Sequence, residues 1–413
     1  MRGKKIITNL LILLAALFIA AAVGEIAFRT RDLKDKNKGL KACMGGVNRK
    51  YHYSFKPNMR SRMVASKNNE FDVGVKINNY GFRGKDIEEH KKTGIPRIMV
   101  IGDSFTFGVG AEEDQTIPFL IESYLADEGK KAEVINAGFG SYSSLLHYLR
   151  LKDEYLRFEP DLVLYLFDFS DLQDDWRYER SLVYDKSGRM LRCDPAFVNG
   201  RRDWWKVMRM HSRLCVYIHN KVIRLIGKIR ILGLKNYIRA KMEGKSSKSL
   251  IVTRKPEGEK FESIEYDVHF MLRGRPRLPE ITEHFKRTEK YLNLIKDVLA
   301  ERGIPMILVI LPRGIHVGPY QWPEGRKVWG FKEGVMYDDY YAFDMLEDYA
   351  KREGVPCINT LPALLKNNDK ELFFPFDGHF NPEANKVTAK AIVEDKAFRE
   401  TLEYDTITEQ GQK

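Results

Sequence analysis

The chain has 413 residues, of which 43% are hydrophobic and 12% aromatic. This composition is typical of a folded, enzyme-sized protein and argues against a disordered chain. The formal charge of +12 at pH 7 comes from one segment, because residues 201–260 hold seventeen Lys or Arg against four Asp or Glu. No zinc-finger, RNA-motif or recognition-helix pattern accompanies that charge, so we expect no nucleic-acid partner. A membrane surface or an anionic glycan fits the basic segment better.

The N-terminus begins with an apolar run. Residues 6–24 are nineteen uncharged residues, which as a helix span about 28 Å, enough to cross a hydrocarbon core of roughly 30 Å. Three basic residues precede the run, and three alanines at 20–22 offer a site where a signal peptidase could cut. We expect a retained signal anchor. Basic residues also follow the run, so charge alone does not orient it.

Strands and helices alternate along most of the chain. The predicted strands are 96–101, 132–136, 161–167, 305–311 and 355–359. The predicted helices are 116–125, 145–158, 283–302, 338–353 and 382–395. This alternation implies a parallel sheet with helices on both faces. Residues 45–85 read as short strands and turns that lead into the core rather than forming a site.

The alternation stops for about a hundred residues in mid-chain, which indicates an insertion. Within it, one predicted helix is apolar on one face and basic on another. The apolar face holds Ile218, Val222, Leu225, Ile226, Ile229 and Leu232, and the basic face holds Lys221, Arg224, Lys228, Lys235 and Arg239. The helix either covers the core with its charges in solvent, or contacts anionic lipid headgroups beside the anchor, or binds an anionic glycan or a partner protein.

These observations predict the domain organisation. The segments are a cytoplasmic tail (1–5), a transmembrane signal anchor (6–28), a linker and lead-in (29–69), a core (70–176 and 283–400), a basic insertion (177–282) and a polar tail (401–413).

The cysteines and the common cofactor motifs point to no bound group. Cys43, Cys193, Cys215 and Cys357 have no CxxC spacing, which argues against a structural zinc site. Cys193 and Cys215 lie in one segment, and whether they pair stays open. No HExxH, Walker or GxGxxG element occurs in the chain, so we predict neither a metal nor a nucleotide cofactor.

Two short segments carry the residues of a nucleophilic site. Ser104 follows the first core strand directly, at the edge where open α/β sheets bind ligands. A serine hydroxyl needs a base, and the base needs an orienting carboxylate. Asp377 and His379 supply both if the segment is extended, because residues two apart then point to one side. No GxSxG element occurs in the chain, so the α/β-hydrolase fold is not expected.

Four blocks resemble those of the SGNH/GDSL hydrolases. The first is Gly102-Asp103-Ser104-Phe105-Thr106-Phe107-Gly108, and the second is Asn136-Ala137-Gly138-Phe139-Gly140-Ser141-Tyr142. The third is Phe167-Asp168-Phe169-Ser170-Asp171, and the last is Asp377-Gly378-His379-Phe380-Asn381-Pro382. The resemblance covers about residues 70–176 and 283–395. It implies a flavodoxin-like three-layer α/β/α fold and an ester-acting enzyme.

The resemblance also implies roles for single residues. Ser104 would be the nucleophile, His379 its base and Asp377 the orienting acid, with Asp103 structural. The oxyanion hole would take donors from Ser104, from Gly140 or Ser141, and from Ser170. Ser170 stands where the family has an asparagine, and a missing donor typically costs about 2.7–4 kcal/mol. The D-x-H spacing of the last block is similar to that of polysaccharide O-acetylation proteins.

We therefore expect a membrane-anchored, extracytoplasmic serine esterase that acts on O-acyl groups, above all O-acetyl groups, of a cell-envelope or exported glycan. Two alternatives stay open. The same residues would serve an O-acetyltransferase that passes the acyl group to a sugar hydroxyl, or the protein is a non-catalytic glycan-binding scaffold. His316 and the Tyr320-Gln321-Trp322 loop either stack on a sugar or belong to the core or an ordinary surface loop.

Overall fold

The computed structural model describes residues 2–35, 44–65, 69–232 and 278–402. The chain divides into two compact units, one of residues 1–37 and 201–260 and the other of residues 38–200 and 261–413.

The helices and strands are numbered in chain order. The strands are β1 (Met44–Asn48), β2 (His52–Phe55), β3 (Met59–Val64), β4 (Asp72–Ile77), β5 (Arg97–Gly102), β6 (Glu133–Gly138), β7 (Leu162–Phe167), β8 (Leu182–Tyr184), β9 (Met190–Cys193), β10 (Phe197–Val198), β11 (Arg201–Arg202), β12 (Met306–Ile310) and β13 (Cys357–Asn359). The helices are α1 (Arg2–Asp35), α2 (Ser104–Phe107), α3 (Ile117–Asp127), α4 (Ser144–Asp153), α5 (Asp171–Glu179), α6 (Trp204–His211), α7 (Arg213–Leu232), α8 (Leu278–Ala300), α9 (Gly314–Val317), α10 (Pro323–Trp329), α11 (Tyr341–Glu353), α12 (Leu361–Leu365) and α13 (Pro382–Glu394). Short 3₁₀ helices lie at Glu113–Gln115 and Tyr155–Phe158.

The larger unit is built on a five-stranded sheet in the order β13-β12-β7-β5-β6. All neighbouring strands in it are parallel. Every residue of β5, β7 and β12 is buried, which is why these strands read as continuous apolar runs in the sequence. The strand order is that of the flavodoxin-like folds, in which ligands bind beyond the carboxyl ends of the strands.

Helices cover both faces of this sheet. The step from β5 to β6 and the step from β6 to β7 run in opposite directions across the sheet, so right-handed crossovers place α3 and α4 on opposite faces. Helices α5 and α8 pack with α4, while α13 packs with α3. The result is a three-layer α/β/α fold, which confirms the predicted fold class.

Most predicted elements of the core lie within a few residues of the observed ones. The helix predicted over 145–158 ends at Asp153 and continues as the 3₁₀ turn Tyr155–Phe158. The helix predicted from 283 already begins at Leu278. Residues 177–200, predicted to belong to the insertion, group with the larger unit and contain the β8–β9 hairpin.

The smaller unit contains α1, α6 and α7 in its described part. Residues Thr8–Thr30 of α1 are long and apolar enough to cross a membrane. Helix α7 includes the first part of the predicted amphipathic helix. Lys235 and Arg239 lie outside the described residues, as do the side chains of residues 223–232.

The described cysteines are thiols. Cys193, Cys215 and Cys357 form no disulfide, so the open question of a Cys193–Cys215 pair is answered in the negative. Cys43 lies outside the described residues.

Candidate active site

Ser104 begins the short helix α2 immediately after β5. The Asp103 carboxylate caps this helix by accepting a 2.8 Å hydrogen bond from the Phe105 N–H. Close packing against β6 fixes the turn, because a Cβ atom on Gly138 would lie only 2.2 Å from the Phe107 nitrogen. The Ser104 hydroxyl is thereby held at the carboxyl edge of the sheet.

Ser104, His379 and Asp377 lie together. His379 Nε2 is 2.7 Å from Ser104 Oγ, and His379 Nδ1 is hydrogen-bonded to the Asp377 carboxylate. The expectation of an extended 377–379 segment is wrong, because Gly378 adopts a left-handed conformation with φ +86°. The Gly378 N–H closes a turn onto the Phe374 carbonyl at 3.0 Å. This turn brings the carboxylate back to the imidazole.

The helix after this turn begins as predicted. The Asn381 side chain caps α13 by accepting hydrogen bonds from the Glu383 and Ala384 N–H groups, both at 3.0 Å, and Pro382 occupies the first turn. The turn that carries the base is therefore fixed on its C-terminal side.

The environment of His379 suits a general base. Burial disfavours the imidazolium, but the charge of Asp377 and its hydrogen bond outweigh burial, so the pKa of His379 is raised above its usual 6.5. Burial alone would raise the pKa of Asp377, but His379 lowers it overall. Asp377 thus stays ionised and keeps the Nδ1 proton of His379 in place, which leaves Nε2 to accept the serine proton.

Two residues hold the turn of Asp377 and His379 from outside. The Glu70 carboxylate accepts hydrogen bonds from the Phe376 and Asp377 N–H groups, the latter at 3.0 Å. Trp322 lies against the turn, where a Cβ atom on Gly378 would be 2.4 Å from its Nε1. Sequence reasoning missed Glu70, since its segment was interpreted as a lead-in without a site. No local signal marks a residue that acts through so distant a contact.

Of the predicted oxyanion donors, Gly140 lies next to Ser104. A Cβ on Gly140 would be 4.0 Å from the Ser104 Cβ, and Ser141 follows with φ +57°. The Ser170 N–H donates to Asp168 Oδ2 at 3.0 Å, and the Ser170 hydroxyl donates to the same oxygen. A donation from Ser170 to an oxyanion therefore stays a prediction.

Arg313 is a second functional candidate that sequence reasoning missed. It follows β12 at the ligand edge of the sheet, forms an ion pair with the buried Asp168, and its guanidinium carbon lies 4.8 Å from the centre of the Phe105 ring. The Phe105 ring in turn lies 4.9 Å from the His379 ring. Its position just after a buried strand was the signal that could have found it.

Buried carboxyl groups lie behind the nucleophile. Burial, and then the charge of Asp168, raises the pKa of Asp103 to about 6. Burial also raises the pKa values of Asp174 and Asp175 to about 7. The Asp103 carboxylate caps α2 and lies 3.2 Å from the Ser104 hydroxyl. Among the described residues no group of His, Cys, Asp or Glu is arranged to hold a metal ion.

His316 and most of the Tyr320-Gln321-Trp322 loop, which could have stacked on a sugar, belong to the buried core. Trp322 is 3% exposed and His316 is 2% exposed, so neither ring is free to stack on a ligand. The Gln321 side chain is also buried, and it donates to the carbonyl oxygens of Asn368 and Lys370. Of this group only Tyr320 is exposed.

The geometry defines an α/β protein with a serine, histidine and aspartate arranged as in serine hydrolases. Residues 275–412 match the family model of the SGNH hydrolase-like domain of the acetyltransferase AlgX. The matched region contains β12, β13 and the turn of Asp377 and His379, and Ser104 faces it from the same sheet. Residues 275–412 are therefore similar to an SGNH hydrolase-like domain, and the arrangement of Ser104, His379 and Asp377 is that of an ester hydrolase or an acyltransferase.

Solved structures give weaker similarities. An acetyl xylan esterase is 13% identical, with 71% of this chain and 96% of that chain covered and a TM-score of 0.33. A GDSL-like lipase from Bacteroides thetaiotaomicron is 10% identical, with 72% and 85% covered and a TM-score of 0.30. A comparison with curated protein sequences finds no match.

Proposed function

We propose that this chain is a membrane-anchored, extracytoplasmic enzyme that removes or transfers O-acyl groups, above all O-acetyl groups, of a cell-envelope or exported glycan. The observation that carries the chemistry is the contact of Ser104 Oγ with His379 Nε2 at 2.7 Å, while Asp377 holds the other ring nitrogen. This arrangement activates a serine for attack on an ester carbonyl.

The first half-reaction forms an acyl-enzyme. Ser104 Oγ attacks the ester carbonyl carbon while His379 Nε2 takes the hydroxyl proton. The tetrahedral intermediate collapses as the bond to the sugar oxygen breaks, and His379 returns the proton to that oxygen. The alcohol leaves and the acyl group stays on Ser104. Asp377 stabilises the imidazolium that forms in between.

The second half-reaction releases the acyl group. A water molecule or an acceptor sugar hydroxyl gives its proton to His379 and attacks the acyl carbon, and Ser104 leaves with the proton. The chemistry is the same for both nucleophiles, so the occupant of the acceptor position decides between a hydrolase and a transferase.

The oxyanion in both halves needs donors close to Ser104. The Ser104 N–H lies in the first turn of α2, where backbone N–H groups have no acceptor within the helix. Among the described residues the N–H groups of Gly140 and Ser141 have no protein acceptor. We assign the hole to Ser104 with one of these two, and leave Ser170 as a donor only if it releases Asp168.

Substrate class and location are supported by different observations. The matching family model is named for an acetyltransferase, which favours an acetyl group and a transfer reaction. The apolar helix Thr8–Thr30 follows Arg2, Lys4 and Lys5, as in an export signal that stays in the membrane.

The test uses the full-length chain in detergent with an O-acetylated polysaccharide as donor. Released acetate and acetylated acceptor oligosaccharide are measured side by side, with Ser104→Ala and a control, Ser187→Ala, in an exposed turn that is hydrogen-bonded to Asp185. We expect Ser104→Ala to abolish both products and Ser187→Ala to keep them. Acetate release by Ser104→Ala at the parent rate would contradict the proposal. Acetylated acceptor in excess of acetate would identify a transferase.

A further inference from the structure

The anchor helix α1 holds the corner between α6 and α7 with two oppositely charged side chains. The Glu25 carboxylate accepts hydrogen bonds from the Ser212 hydroxyl at 2.8 Å, the Arg213 N–H at 3.0 Å and the Leu214 N–H at 2.9 Å. Arg29 pairs with Glu25 at 2.7 Å and donates to the His211 carbonyl at 2.8 Å. Glu25 is thus bound to the N-terminus of α7 and Arg29 to the C-terminus of α6. Each charge is favourable at the helix end that it contacts.

Apolar contacts extend the same attachment. The Phe28 and Tyr217 rings lie with their centres 4.5 Å apart. A Cβ on Gly24 would be 3.4 Å from a methyl group of Leu214, so the two helices approach closely there. The corner is therefore fixed to α1 by packing as well as by charge.

The position of Glu25 along α1 sets the depth of the corner. From Ile6 to Glu25 the helix rises about 28 Å, close to the roughly 30 Å thickness of a hydrocarbon core. If α1 spans a bilayer, Glu25 and Arg29 lie at its far boundary, where a paired charge is tolerated. The α6–α7 corner then lies at the same level.

The outer surface of this corner has the composition of a membrane interface. Trp204 is 64% exposed, Met208 45% and Ile218 45%, and exposed apolar side chains that form a patch mark an interaction or membrane-binding surface. Residues 201–222 contain six Lys or Arg and one acidic residue. The Arg202 guanidinium carbon lies 4.3 Å from the centre of the Trp204 ring. Aromatic rings with adjacent cations are enriched at the headgroup level of bilayers.

From these observations we infer that the α6–α7 corner is a membrane-binding surface, which inserts Trp204 and Trp205 into the boundary between headgroups and acyl chains of an anionic phospholipid bilayer. The inference rests on the proposed anchoring of α1. It gives the chain a second contact with the bilayer, with the corner's orientation set by Glu25 and Arg29. Basic side chains around the two tryptophans would face the anionic headgroups.

Tryptophan quenching in vesicles tests this surface. The full-length chain is reconstituted in vesicles of phosphatidylcholine and phosphatidylglycerol, with and without phosphatidylcholine brominated near its headgroup. The chain has 5 Trp, so the parent is compared with Trp204→Phe/Trp205→Phe and with the control Trp329→Phe, whose tryptophan belongs to α10 of the larger unit. Glu25→Ala removes the attachment of the corner and leaves both tryptophans in place.

Bromine should quench the parent and the Trp329→Phe control, and most of the quenching should be lost in the double variant and reduced in Glu25→Ala. Omitting phosphatidylglycerol should weaken the quenching of the parent. Equal quenching of the double variant and the parent, or a parent that floats with the vesicles without being quenched, would overturn the inference. A parent that does not float with the vesicles would refute the anchor instead, so the two failures are distinguishable.

Discussion

Replacing Glu70 by alanine should slow the enzyme although Glu70 touches none of the reacting atoms. Its carboxylate accepts the N–H groups of Phe376 and Asp377, at the turn that positions His379. Hydrogen bonds to a charged group are worth about 1.5–3 kcal/mol each. Glu70 is only half-buried, so the lower figure applies and the two bonds total about 3 kcal/mol.

Part of that free energy will be lost from overall stability rather than from the transition state, because Trp322 still supports the turn. We therefore expect kcat/KM for p-nitrophenyl acetate to fall by about tenfold to a hundredfold, at 1.36 kcal/mol per factor of ten. Most of the decrease should appear in kcat, since a displaced base destabilises the transition state more than it weakens substrate binding.

The matched control is Glu112→Ala. The Glu112 carboxylate also accepts a hydrogen bond from a backbone N–H, with both oxygens at 3.0 Å, but that N–H belongs to Gly74 of β4 and not to the turn of Asp377. This variant should lose stability without a comparable loss of kcat. A Glu70→Ala enzyme with the parent kcat, or equal losses of kcat in both variants, would refute a positioning role for Glu70.

Three further predictions concern charge. The kcat/KM of the parent should rise with pH through an apparent pKa above 6.5, because His379 must be neutral to act as a base and the Asp377 charge raises the pKa of His379. A kcat/KM that does not change from pH 5 to 8 would contradict the assignment of His379 as the base. Arg313→Met should move that rise to higher pH, since the Arg313 charge lowers the pKa of His379. The same variant should lose about 3–5 kcal/mol of unfolding free energy in urea, because Asp168 stays buried without its cation. Adding Asp168→Asn should restore much of that stability, and no recovery would argue against the ion pair. Asp174→Asn should stabilise the protein more at pH 8 than at pH 5. Burial raises the pKa of Asp174 in the folded protein to about 7, so its neutral form favours folding at low pH and that contribution is lost as the pH rises through 7. The same difference in thermal stability between variant and parent at both pH values would contradict this.

The sheet was predictable because burial leaves a direct mark on the sequence. Strands β7 and β12 are covered on both faces, so every position in them is apolar or aromatic. The two ends of the site were predictable for a related reason, since Ser104 follows a buried strand and Asn381 with Pro382 signals the start of a helix.

What the sequence did not reveal depends on contacts between distant segments. Glu70 meets the turn of Asp377 only after the lead-in folds onto the core, and nothing in its own neighbourhood specifies that contact. The sequence of the Trp322 loop is compatible with ligand binding, and only the fold shows that Trp322 is buried against Gly378. Ser170 occupies the predicted position in the third block, but its N–H and hydroxyl donate to Asp168, which pairs with Arg313 from the loop after β12.

The most direct test of the acyl-serine mechanism is mass spectrometry of the full-length enzyme quenched with acid during p-nitrophenyl acetate turnover. This mechanism predicts an acetyl group on the peptide that contains Ser104, absent from Ser104→Ala and strongly diminished in His379→Ala. Turnover by the parent with no acetylated Ser104 peptide at any quench time would contradict this mechanism. An equal amount of acetylated Ser104 peptide in His379→Ala would also contradict it.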